Sequence, residues 1–213
     1  MPTNPQLVVF CLTVSLLLLT PGPNFIYVLT RGITQGRRPA LLAVIGLGVG
    51  VLVHTTLASL GVSALVRSSY LAFQMIKYGG SFYLIYLGIK TLRNQDPITI
   101  DSSVAVTART TQHQQILWQS LIASLTNPKT ILFFLSFLPQ FVNSATANVA
   151  PQLFLLGSIY MILTVIIYGV LAYFAGSIGQ WLRTRAALTR RLRWITGTSF
   201  IGLGLWAALP ERR

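Results

Sequence analysis

Long apolar runs separated by short polar gaps set the pattern of this chain. A helix needs about 20 mostly apolar residues to cross a bilayer. Five stretches reach that length, Leu7 to Thr30, Ala40 to Val66, Tyr70 to Leu92, Ile116 to Val142 and Val149 to Ile178, and a shorter sixth runs from Trp194 to Leu209. The second, fourth and fifth exceed a perpendicular crossing, which permits a tilt or a break. The pattern predicts an all-α polytopic membrane protein with six transmembrane helices.

The gaps add an internal order. Only one is long and polar, Arg93 to Gln115, rich in Thr, Ser and Gln. It divides a single transmembrane domain, 1–213, into a first three-helix repeat, 1–92, a polar connector, 93–115, and a second three-helix repeat, 116–213. The halves share short matches at corresponding places. Ser15 to Pro21 aligns with Ser120 to Pro128 with slight slippage, and Gly79-Gly80-Ser81-Phe82 resembles Gly197-Thr198-Ser199-Phe200. An odd number of spans per half sets the two copies in the membrane in opposite senses. Two inverted three-helix repeats are therefore expected, the arrangement in which many transporters bind substrate near midplane.

Composition sharpens this reading. Hydrophobic residues make up 53% of the 213 and charged residues only 9%, against about a quarter charged in soluble domains, so most of the surface must face lipid. Sixteen Lys and Arg oppose three acids, Asp96, Asp101 and Glu211. A net charge of +13 would suit nucleic acid, but the positions of the charges exclude it. Arg31, Arg37 and Arg38 fall in the first gap, Lys90, Arg93 and Arg109 in the third, and Arg183, Arg185, Arg190, Arg191 and Arg193 in the fifth. The positive-inside rule puts these gaps in the cytoplasm and both termini outside. The first run lacks a basic flank and a small-x-small cleavage site, so it reads as a retained span and not a signal peptide. Cys11 stands alone, which excludes an intrachain disulfide and a cysteine metal site. Trp118, Trp181, Trp194 and Trp206 lie near the proposed span ends, where interfacial anchors belong.

Candidate chemistry concentrates at two interruptions. Thr20-Pro21-Gly22-Pro23-Asn24 lies deep in the first run, where two prolines remove two backbone donors and make a straight helix costly. Backbone groups freed at membrane depth must meet protein or a hydrated cavity. A half-helix restarting near Asn24 would point partially positive amides there, a setting for a carboxylate. Thr126-Asn127-Pro128-Lys129 mirrors the first interruption in the fourth run. The plain alternative for each is a kink that only shapes packing. Lys129 is a candidate carboxylate anchor, because a Lys at membrane depth is costly, or else it snorkels to an interface. Snorkelling fits Lys77 better. No Asp or Glu falls in any of the six runs, so His54, in the middle of the second, is the only side chain there with an ordinary pKa near neutrality. It is a candidate proton carrier, or a neutral histidine hydrogen-bonded between helices. Gly46, Gly48 and Gly50, with Gly79-Gly80, Gly202 and Gly204, suggest close helix packing. No catalytic motif, cofactor motif or metal-ligand cluster is found.

Together these motifs resemble the lysine exporter and homoserine/threonine efflux (LysE/RhtB-type) proteins. The resemblance rests on Thr20-Pro21-Gly22-Pro23-Asn24, Arg31-Gly32 with Gly36-Arg37-Arg38, Gly46 through His54, Lys77 through Gly88, Thr126 through Lys129 and Phe137-Leu138-Pro139-Gln140-Phe141. It implies export of amino acids across a bacterial inner membrane, driven by the proton gradient. Some relatives carry Asp near the position of His54 and others His. Without a fixed anion in the spans, a small neutral substrate of threonine, homoserine or leucine type is expected, bound at Pro21, Gly22, Pro23, Asn24, Asn127, Pro128 and Lys129. Expected partners are the lipid bilayer and the amino acid, with a second copy of the chain as a candidate. A channel, an exporter of another solute or cation, and an intramembrane enzyme are the alternatives.

Overall fold

A computed structural model describes residues 4–68, 70–93, 112–142, 149–177 and, in the last run, 194, 195, 197, 198, 200–202, 204, 205 and 208. Residues 94–111, most of the expected connector, and 178–193, with the basic residues of the fifth gap, lie outside the described residues. The described residues are helical, with no strand among them.

The first run is two helices, α1 (Asn4–Leu19) and α2 (Pro23–Thr34), set 54° apart at the Pro-Gly-Pro interruption. α3 (Arg37–Ser68) and α4 (Tyr70–Arg93) cover the second and third runs. The fourth breaks in turn: α5 (His113–Leu125) and α6 (Pro128–Leu132) lie on either side of Thr126-Asn127 and bend by 49°. From α6 the chain continues through a π-helical turn, Phe133–Phe137, and a 3-10 turn, Leu138–Phe141. α7 (Val149–Tyr173) forms the fifth run. Among the described residues two helices, α3 over Arg37–Gly61 and α7, are long and apolar enough to cross a membrane; four spans result if each bent pair counts as one. Gly36 joins α2 to α3 with φ of 91°, a left-handed turn that suits glycine.

Close contacts fix the directions of the helices. Gly46 lies against Ser120, and Gly50 against Ser124, so α3 and α5 run parallel. Gly48 meets Val165 and Gly157 meets Thr55, so α7 runs antiparallel to α3. Gly88 approaches the Gly197 carbonyl while Gly204 approaches that of Ser81, which sets the last run antiparallel to α4. Small residues let these backbones come close. The glycine reading holds at Gly46, Gly48, Gly50 and Gly204; Gly79 and Gly202 have no described neighbour within 4 Å of where a side chain would begin.

The core is aromatic. Phe10 of α1 meets Phe133 and Phe141 at ring distances of 6.1 and 5.1 Å, and Tyr160 of α7 closes on Phe133 and Phe134 at 4.9 and 5.3 Å. Facing away from it are apolar stripes at helical spacing: Val8, Leu12, Leu16 and Leu19 on α1, and Ile45, Val49, Val53, Leu57 and Leu60 on α3. Stripes of that extent need a lipid or protein cover.

Candidate functional site

The two interruptions are built alike. Thr20 Oγ donates to the Leu16 carbonyl (2.7 Å) and Thr126 Oγ to that of Ile122 (2.9 Å), each closing the last turn before its break. Each following helix starts with a proline, Pro23 or Pro128, where the missing N–H costs nothing. The first backbone bonds of the new helices also correspond, Ile26 N to Gly22 O (2.8 Å) and Ile131 N to Asn127 O (3.0 Å).

They differ in how the restarting helix is capped. At the second break the Asn127 side chain accepts from Lys129 N at 3.0 Å, an ordinary N-cap. At the first, Gly22 occupies the cap position in an extended conformation any residue could adopt, and no side chain caps α2. The leading amides of α2 are therefore the ones open to an outside acceptor.

Lys129 joins the two breaks. Its Nζ donates to the Leu17 carbonyl and, at 3.2 Å, to the Thr20 carbonyl. The same ammonium lies 3.5 Å from where a Gly22 side chain would begin and 5.2 Å from the centre of the Phe200 ring. A half-buried cation from the second half thus satisfies carbonyls freed in the first. Among the sequence alternatives, this is a lysine held inside the protein and not one snorkelling away from it.

His54 plays the matching part at the second break. Its Nε2 donates to the Ser124 carbonyl at 3.2 Å, and its ring stacks on Phe134 at 5.6 Å. Because a carbonyl only accepts, this bond puts a proton on Nε2. Ser124 Oγ in turn donates to the Leu47 carbonyl at 3.2 Å.

The expected site residues are therefore distributed as follows. Gly22 and Lys129 meet at the first break; Asn24 is buried beside it with Oδ1 unpartnered. Pro21 and Pro23 shape that break, and Asn127 and Pro128 build the other. One assignment needs correction. Arg31, read as a loop charge, lies inside α2 and is 3% exposed. Its guanidinium donates to Gln35 Oε1 (3.0 Å) and to Gln119 Oε1, and its Cζ sits 4.8 Å over the Tyr27 ring. The helical spacing from Asn24 to Arg31 carried that signal; the pairing with Gln119, 88 positions away, left no trace in the sequence. Among the described residues no cluster of three His, Cys, Asp or Glu could hold a metal.

Comparison with known proteins adds a family. The LysE type translocator family matches residues 15–210. A Vibrio cholerae protein called an uncharacterized membrane protein is 32% identical over 206 residues, covering 95% of this chain and 96% of its own. A leucine efflux protein of an Enterobacter species is 31% identical over 186 residues, 87% of each chain. One of Salmonella typhimurium is 31% identical over 188 residues, 88% of this chain and 84% of its own. No solved structure matches.

Proposed function

The chain belongs to the LysE-type translocator family, a multi-pass membrane protein, and from that premise we propose that it exports a small neutral amino acid of the leucine type from the bacterial cytoplasm. The observation that carries the proposal is the convergence at the first break of the Lys129 ammonium, the uncapped start of α2 and the free Asn24 Oδ1. A zwitterion needs a cation and amides for its carboxylate and carbonyl oxygens for its ammonium. All of these meet here. The names of the leucine efflux relatives and the absence of Asp or Glu from the six runs favour an uncharged side chain.

In the reading proposed, the substrate carboxylate takes Lys129 and the α2 amides, and the substrate ammonium replaces Lys129 at the Leu17 and Thr20 carbonyls. One ammonium replaces another, so no carbonyl is left unpaired. Two inverted three-helix copies, 1–92 and 116–213 with the 93–115 connector between them, rock about the two breaks to alternate access. The matched Thr–break–Pro geometry and the opposed helix directions support that architecture. The membrane is the inner one, with both termini periplasmic by the charge bias of the connectors. His54, beside the second break, carries the returning proton.

The test is counterflow in proteoliposomes with labelled amino acids, with and without an imposed pH gradient. Saturable leucine exchange that the gradient drives, and that His54→Ala uncouples from it, is the expected result. Gradient-driven transport untouched by His54→Ala would remove the proton role, and the absence of any amino-acid movement would sink the export reading.

A further inference from the structure

Four polar side chains follow one face of α2: Asn24, Tyr27 and Thr30, each three positions after the last, and Arg31, four positions after Tyr27. Asn24, Thr30 and Arg31 each hold a buried atom without a hydrogen-bond partner, Oδ1, Oγ1 and Nε, and the buried Tyr27 hydroxyl lies near the Arg31 guanidinium. The stripe begins at the first break and ends on a guanidinium that is 97% shielded, since Arg31 is only 3% exposed. The described groups that touch that guanidinium are neutral: two amide oxygens, from Gln35 and Gln119, and the face of Tyr27.

A buried arginine ordinarily pairs with an anion, because desolvating the charge costs several kcal/mol. Asp96, Asp101 and Glu211 all lie outside the described residues, so the described surroundings of Arg31 hold no carboxylate. The backbone beside it is closely packed. Gly32, next in sequence, lies so close to Ala175 that any side chain there would collide, and Ala40 lies beside it. A shielded guanidinium with a free Nε–H matches the bidentate geometry of a carboxylate.

We propose that Arg31, flanked by Gln35 and Gln119, is a carboxylate-binding station near the cytoplasmic end of the path. The inference rests on the export reading above. Nine residues separate Arg31 from Gly22, about 13 Å along a helix, so a substrate entering from inside meets Arg31 first and Lys129 second. The Tyr27, Thr30 and Asn24 side chains offer polar contacts between the two cations.

The test is phenylglyoxal labelling of the purified full-length protein in liposomes, read at Arg31 by peptide mass spectrometry. L-leucine, L-leucinamide, propionate and inorganic phosphate are added in turn, with leucine counterflow measured on the same vesicles. Leucine and propionate should slow labelling of Arg31 by about tenfold at ten times their dissociation constants. Leucinamide, which lacks the carboxylate, and phosphate should not. Labelling unchanged by both carboxylates, or an Arg31 that never reacts while Arg37 does, overturns the station. Protection by phosphate in preference to propionate also overturns it, in favour of a lipid headgroup. Propionate protection without leucine counterflow would support the anion site and sink leucine as cargo; counterflow without protection would do the reverse. Arg31→Lys keeps the charge but loses the fork, and should raise the half-saturation for leucine while preserving the maximal rate.

Discussion

Lys129 is the residue on which both halves depend. A side chain that hydrogen-bonds carbonyls 112 and 109 positions earlier cannot be removed without leaving those acceptors bare at the break. On the proposed reading Lys129 also pairs with the substrate carboxylate, and losing one partner of a buried charged pair costs about 2 kcal/mol or more, which is about thirtyfold in affinity. Lys129→Ala is therefore expected to raise the half-saturation for leucine in counterflow by about that factor, and unchanged half-saturation would dismiss the anchor. The glycines at the seams make a complementary prediction about stability. A side chain at Gly50 would begin 2.5 Å from Ser124 Cβ, so Gly50→Ala must part α3 from α5. The cost should be about 1–3 kcal/mol, read as a lower melting temperature in detergent. Gly169, with no described neighbour within 4 Å, should accept alanine without loss.

At the scale of the elements, the interruptions were legible because proline and glycine act locally: two prolines in five residues cannot continue a helix wherever the chain lies. What each break does was not legible, because it depends on groups remote in sequence. Asn127 illustrates the limit. Its place in a Thr-Asn-Pro-Lys motif suggested substrate contact; what the fold adds is that its carbonyl oxygen Oδ1 caps α6. Asn127→Ala is expected to cost about 1 kcal/mol, with Asn127→Asp retaining stability; equal melting temperatures for wild type and Asn127→Ala would show that the cap contributes nothing. Gly79 shows the same limit, with no described neighbour within 4 Å of where a side chain would begin. Small residues mark a possible close approach, but not which face a neighbour occupies.

For the whole molecule, long apolar helices could be read from hydropathy because lipid demands them; among the described residues two, or four if each bent pair counts as one, are long and apolar enough to cross a membrane, and α3 runs parallel to α5 and antiparallel to α7. The misassigned Arg31 shows where hydropathy stops: a charge at the end of an apolar run looks the same whether it faces water or the protein interior. Orientation across the membrane rests on the basic connectors. A C-terminal alkaline phosphatase fusion should accordingly be active, since that enzyme folds only where disulfides form; an inactive fusion, with a fluorescent C-terminal green fluorescent protein fusion, would reverse the orientation.

The Lys129 ammonium at the Leu17 and Thr20 carbonyls has a consequence for the transport cycle. On the export reading, a carrier that achieves net flux must reset after releasing its cargo, and the tethered Lys129 ammonium already stands where the cargo's amine would bind. On that reading the carrier resets without exposing bare carbonyls, and efflux does not require a molecule to be carried back. Without the tether the protein should behave as an exchanger. In Lys129→Ala, net efflux into amino-acid-free buffer should fall further than homoexchange does, and millimolar methylammonium should restore part of the difference.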